Sequence, residues 1–206
     1  MKLLVIGASG MIGSRIVDEA LLRGHDVVAA TRNPAKVAAR KGLTAVQLDI
    51  TDVERLKSLA ADADTVISAT SPRSGGEPVG EALSYASALT EALGKTRLVM
   101  VGGAGSLNLP DGTAVADVVP ETYAAEARAM RAAYEHIKAS DLDFTVHAPA
   151  GAIAPGKRTG KFRLQTDILL TDDDGNSQIS VEDYVVALMN EVENPQFRGR
   201  LFTAAY

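Results

Sequence analysis

Residues 134–138 read YEHIK, a tyrosine followed four places later by a lysine. On a helix such a pair shares one face, and a phenol beside an ammonium is a candidate acid for proton transfer. Three further side chains could serve a reacting centre: Ser106, Tyr123 and His147. A second group binds rather than reacts. The run GASGMIG places Gly7, Gly10 and Gly13 with Ser9, Met11 and Ile12 between an aliphatic run and an amphipathic one. Glycines at that spacing allow a tight turn, let backbone N–H groups approach a pyrophosphate and allow close helix–strand packing, while the helix N-terminus stabilises the negative charge.

The elements that must position these residues alternate. KLLVIG (2–7), DVVAAT (26–31), AVQLD (45–49), DTVISAT (64–70), RLVMVGG (97–103) and DFTVHAP (143–149) read as buried parallel strands. Between them, residues 11–24, 52–60, 79–94 and 120–140 carry apolar side chains at intervals of three and four. The alternation predicts an α/β fold with a doubly wound parallel Rossmann sheet. After residue 149 the rhythm changes to a loop bearing Gly151, Pro155, Gly156 and Gly160, then KFRLQTD, the acidic turn TDDDGN, a helix VEDYVVALMNEVEN and a last strand RLFTAAY. Residues 1–206 thus read as one domain, in which 150–206 forms a small substrate-covering region. The basic residues Lys157, Arg158, Lys161 and Arg163 would make that loop a lid able to attract an anionic acceptor. The acidic turn fails as a calcium loop: with Gly175 sixth, the first ligand position falls on Leu170.

Composition narrows the function class. With 206 residues and 46% hydrophobic content the chain can bury one sizeable core. Lys and Arg number 21 against 26 Asp and Glu, a net charge of -5 that argues against a phosphate-backbone partner. No cysteine is present, so thiol chemistry, disulfides and cysteine-ligated metals are excluded, and redox chemistry would have to come from a cofactor. No metal-ligating pattern is read. No apolar run approaches 18 residues. A soluble, cytoplasmic protein is expected, with a homo-oligomer left open.

The end of the second strand selects the dinucleotide. Sites for NAD present a carboxylate there for the ribose 2′-hydroxyl, whereas this chain reads Thr31, Arg32, Asn33. Arg32, with Lys36 one turn later, suits a 2′-phosphate, so NADP(H) is the expected cofactor. Asp49 and Ile50 would border the adenine, Ala69, Thr70 and Gly102 the middle of the crevice, and Pro149, Ala150, Gly151 and Ala152 the nicotinamide.

These motifs, GxxGxxG with TRNP, VGGAGSL and HAPAGAIAPGKRTGKFRL, together resemble the atypical short-chain dehydrogenase/reductases. Within them the chain is similar to small NAD(P)H-binding proteins of the NADH-flavin reductase type, and more distantly to biliverdin reductase B. The resemblance spans nearly the whole chain and implies a Rossmann core with bound NADP(H). It also exposes YEHIK as a decoy. Ligands sit beyond the carboxyl ends of the strands, where the following helices begin, but Tyr134 lies eleven residues past Tyr123, roughly 16 Å along the helix at about 1.5 Å per residue. Tyr123 better fits the family's interval to the strand-ending proline, yet Ala127 stands where its lysine would be. YEHIK is therefore read as helix-surface chemistry. Ser106, Tyr123 and His147, with Thr70, Ser71 and Arg73, remain at the crevice.

The expected activity is NADPH-dependent hydride transfer to a planar conjugated acceptor of flavin, quinone or bilin type, without a Tyr–Lys pair. A redox sensor that binds NADP(H) without turnover is the rival, and a sugar epimerase or dehydratase a third reading.

Overall fold

The computed structural model describes residues 1–73 and 75–206. Its centre is an eight-stranded sheet in which β1 (Lys2–Ile6), β2 (Asp26–Thr31), β3 (Leu43–Gln47), β4 (Thr65–Ser68), β5 (Arg97–Val101) and β6 (Phe144–Ala148) run parallel. Between β1 and β2 lies α1 (Met11–Leu22), between β3 and β4 α2 (Val53–Ala60), between β4 and β5 α3 (Pro78–Leu93); the long path from β5 to β6 holds α4 (Val115–Val118) and α5 (Glu121–Lys138). Three short strands follow, β7 (Ala152–Ala154), β8 (Arg163–Thr166) and β9 (Gln178–Ser180), then α6 (Val181–Glu193) and β10 (Arg200–Ala205).

The strand order β3-β2-β1-β4-β5-β6-β10-β8 reverses direction of growth between β1 and β4. Such a switch point opens a crevice at the carboxyl ends of the strands. The inner strands β1, β4, β5 and β6 are buried on both faces because both are covered, whereas the edge strands β3 and β8 are largely exposed. In β1, Leu4 and Ile6 join a core with Leu56, Leu89 and Ile137 of α2, α3 and α5, while Leu3 and Val5 join one with Ile16 of α1 and Tyr184 and Leu188 of α6. The near-continuous aliphatic runs in the sequence are the signature of this double burial.

The C-terminal third contributes to both layers. Strand β10 pairs parallel to β6 and antiparallel to β8, with Leu201, Phe202, Ala204 and Ala205 buried, and α6 packs beside α1. Residues 149–153 turn back across the carboxyl ends, β7 pairing with β9 in a separate two-stranded sheet. The acidic turn is closed by its own backbone, Asp172 N donating to Asn176 O (2.8 Å) and Gly175 N to Asp172 O (3.0 Å). No group of three or more acidic or histidine side chains suited to a metal occurs among the described residues. No described helix is long and apolar enough to cross a membrane.

Candidate functional site

The glycine turn is built by close approach. Gly7 has φ +79°, and a Cβ there would lie 2.4 Å from Ala69 O, so only glycine lets the end of β4 press against the turn. A Cβ on Gly13 would lie 2.1 Å from Gly7 O, so its glycine lets α1 seat against the turn. Three other helices receive side-chain caps: Asp52 for α2, Glu77 for α3, Ser180 for α6. Helix α1 begins at Gly10 with none, as do α4 at Ala114 and α5 at Pro120, but of these only α1 follows the glycine turn. The unfilled N–H groups of its first turn are available to a phosphate.

Around this turn runs a cleft of about 930 Å³, near the upper end for cofactor sites. Gly7, Ser9, Gly10, Met11, Ile12, Arg32, Asp49, Ile50, Ala69, Thr70, Gly102, Pro149, Ala150, Gly151 and Tyr123 all line it. Ser9 Oγ lies 2.9 Å from Thr31 Oγ1, tying the glycine turn to the end of β2 next to Arg32. Asp49 accepts from Thr51 N (3.0 Å) and Oγ1 (2.8 Å). Those bonds, with a smaller contribution from the Arg32 charge, hold its carboxyl below the ordinary range.

Five expected residues stand elsewhere. Gly13 is a packing position, and Ala152 is the first residue of β7, paired with Gln178. Asn33 Oδ1 accepts from Ala35 N (3.2 Å), capping a short 3₁₀ turn. Ser106 is 3% exposed and its Oγ donates to Met130 O at 3.3 Å, a buried bond that holds the loop after β5 to α5. His147 is fully buried, with its ring stacked 4.0 Å from Tyr184 and 4.1 Å from Phe202. Strand alternation explains it: in β6 the side chains of Thr145 and His147 share the face covered by α6, where Thr145 Oγ1 donates to Glu191 (3.0 Å). Burial pushes the imidazole well below its usual pKa. Neither Ser106 nor His147 reaches the cleft.

The YEHIK tyrosine is also not a surface group. Tyr134 is 5% exposed and packs in the core with Ala133 and Ile137, and burial, assisted by Asp167 and Glu135, raises its phenol pKa. That shift makes it a poorer acid. Its lysine partner lies outside, about half exposed.

The basic loop is strapped down away from the cleft. Arg158 donates to both oxygens of Glu19 (2.9 and 2.7 Å), Gly156 N to Glu182 (2.7 Å), and Thr159 N and Gly160 N to Asp183 (2.8 Å each). Lys157, Arg158, Lys161 and Arg163 are absent from the cleft wall.

The other end of the cleft lies between α3 and α5. There Glu81 and Tyr85 on α3 face Tyr123, Glu126, Ala127 and Met130 on α5. Tyr85 Oη donates to Glu81 Oε1, which also accepts Arg73 N (3.1 Å), and the Arg73 guanidinium reaches Glu126 (3.0 Å). Sequence reading passed over Tyr85, Glu81 and Met130. The rule that sites sit near helix starts would have found the first two, since both fall in the opening turns of α3.

The model of the NAD(P)H-binding family matches residues 7–192, from the glycine turn to the end of α6. The chain belongs to the NAD(P)H-binding family. Similar solved structures include a Burkholderia pseudomallei protein described as a candidate exported protein, 40% identical with TM-score 0.89 over 100% of both chains. A Bacteroides thetaiotaomicron protein described as a candidate epimerase is 35% identical, with TM-score 0.90 over 100% of this chain and 96% of that one. A Streptococcus pneumoniae protein described as a candidate NADH-flavin reductase is 30% identical, with TM-score 0.85 over 100% of this chain and 99% of that one. These similar chains share the fold along their length under names that differ.

Proposed function

We propose that this chain is a reductase that passes hydride from NADPH to a planar, conjugated, uncharged acceptor such as a quinone or a flavin ring. The observation that carries the reading is the lining of the acceptor end. Tyr123 stands in the cleft with Ala127, not lysine, four places on, and no lysine lines the cleft among the described residues. Reduction of a simple ketone needs a positioned acid for the developing alkoxide, whereas a conjugated acceptor spreads the charge over its rings and takes its proton from water. The same lack speaks against epimerase chemistry, the name given to the Bacteroides protein.

When bound, the nicotinamide supplies the hydride; the protein's residues bind and orient. The backbone at Gly7 to Ile12 receives the pyrophosphate, and Arg32 the 2′-phosphate, with no carboxylate at the end of β2 to favour NAD. Pro149 to Gly151 border the nicotinamide. Tyr85 and Tyr123 offer aromatic surface from facing helices, which suits a flat ring system. Among the described residues the charged side chains at that end are Glu81, Glu126 and Arg73. One cation against two carboxylates gives no attraction for a phosphate or propionate, so the acceptor is read as neutral where a basic lid would have favoured an anion.

The test mixes protein and NADPH with quinones, flavins and simple ketones while nicotinamide absorbance is followed. Oxidation with the conjugated acceptors alone supports the reading. Oxidation of none would replace it with a non-catalytic NADP(H)-binding protein.

A further inference from the structure

Behind the acceptor end lies a second cavity of about 10 Å³, room for about one water. Its lining is mostly apolar, including Leu89, Met100 and Ala133, with Thr70, Ser71 and Tyr85 as its hydroxyl-bearing members and no charged residue. Tyr85 and Met130 line both this cavity and the cleft, as do Thr70 and Ser71 of the loop after β4, so the two spaces are neighbours across these four residues. Tyr85 is held by its hydroxyl, and Met130 is packed closely at its root. The Tyr85 hydroxyl donates to Glu81 Oε1, itself fixed by Arg73 N. Met130 presses against the loop after β5, where a Cβ on Gly103 would lie 2.7 Å from Met130 Cβ.

We infer that this cavity is the inner end of the acceptor site, and that Tyr85 and Met130 form the wall that limits how large a fused ring or apolar substituent the site admits. The inner end would take an uncharged aromatic edge or alkyl group, because its floor offers no partner to a charge. A phenol tied by a hydrogen bond to its own helix makes a better wall than a free one: the Glu81 contact removes the ring rotation that would otherwise open the cavity. Deleting the ring joins the spaces without touching the glycine turn or Arg32.

This inference rests on the reading of that end as the acceptor site, so the test uses binding without turnover. Protein saturated with NADP⁺ is titrated, by fluorescence, with lumazine and with lumichrome, which carries the same pyrimidinedione edge plus a dimethylbenzo ring. Tyr85→Ala is expected to raise affinity for lumichrome relative to lumazine by about tenfold over the ratio in the unaltered chain, the scale of taking an apolar ring out of water. Met130→Ala should shift the ratio the same way, and Tyr85→Phe, which keeps the ring but loses its bond to Glu81, should shift it by less than Tyr85→Ala does. A folded Tyr85→Ala protein that binds NADP⁺ yet shows an unchanged ratio, or no lumichrome binding, overturns the inference; if that variant does not fold, Met130→Ala decides on the same criterion. Because no hydride moves in this experiment, a shifted ratio together with a chain that never oxidises NADPH would fail the reductase reading while upholding the wall.

Discussion

The ammonium of Lys138 sits over the ring of Tyr134, 5.5 Å from its centroid, on the far half of the helix whose first half lines the cleft. The pair is a cation–π contact on a buried ring, not an acid and its activator. Tyr134→Phe and Lys138→Ala should therefore leave NADPH oxidation and NADPH affinity within about twofold. Tyr134→Ala should instead lower unfolding stability by about 3 kcal/mol, as for other large aromatic truncations in cores. A tenfold loss of kcat in folded Tyr134→Phe would restore YEHIK to the active site.

Arg32 lines the cleft beside Asp49, and the strand end it follows carries no acid. Arg32→Ala should weaken NADPH binding by about 1.5 to 3 kcal/mol, the range for a hydrogen bond to a charged group, and leave NADH nearly unchanged. Direct titration of nicotinamide fluorescence reads both constants. Equal losses would show that the guanidinium does not distinguish the 2′-phosphate.

His147 should make the fold acid-sensitive. Neither ring nitrogen has a hydrogen-bond partner in the structure, and burial lowers the folded-state pKa well below 6.5. The unfolded chain then binds a proton that the folded chain refuses. Stability from this group is complete above pH 6.5 and is lost as pH falls below it, by up to about 1.4 kcal/mol per pH unit. His147→Phe keeps a flat ring between Tyr184 and Phe202 and removes both stranded nitrogens, so its Tm should be higher and should fall less between pH 7 and pH 5. Parallel melting curves for the two proteins across that range would contradict the assignment.

Arg158 grips Glu19 from the loop after β7, and Arg23 grips the same carboxylate from α1. Because the loop is fastened to α1 and α6, Lys157→Ala with Arg158→Ala should change KM for FMN and for riboflavin by the same factor, within about twofold. The visible effect should be on thermal stability. A selective rise in KM for FMN that salt abolishes would return the loop to the role of an electrostatic lid.

The sequence by itself determined the order of elements and which residues line the cleft around the glycine turn. Gly7, Gly10 and the first residues of α1 are fixed by local rules, because a turn between a strand and a helix needs no distant partner to place its backbone. Arg32, Asp49 and Ile50 follow from the same logic, each lying just past a strand whose limits its own aliphatic run announces; β3 alone begins two residues early, at Leu43. Tertiary structure decided which way side chains face where strand alternation and long connections intervene. His147 sits at a strand end as read, but its parity turns it toward α6, and nothing local says which helix covers which face. Ser106 lies in a loop that α5 folds over. Tyr134 is amphipathic in pattern and buried in fact, because the stripe it shares with Ala133 and Ile137 is the one laid on the sheet. The end of the cleft between α3 and α5 was least legible. Tyr85 and Tyr123 stand 38 residues apart in the chain, and only the packing of α3 against α5 brings both to one cleft.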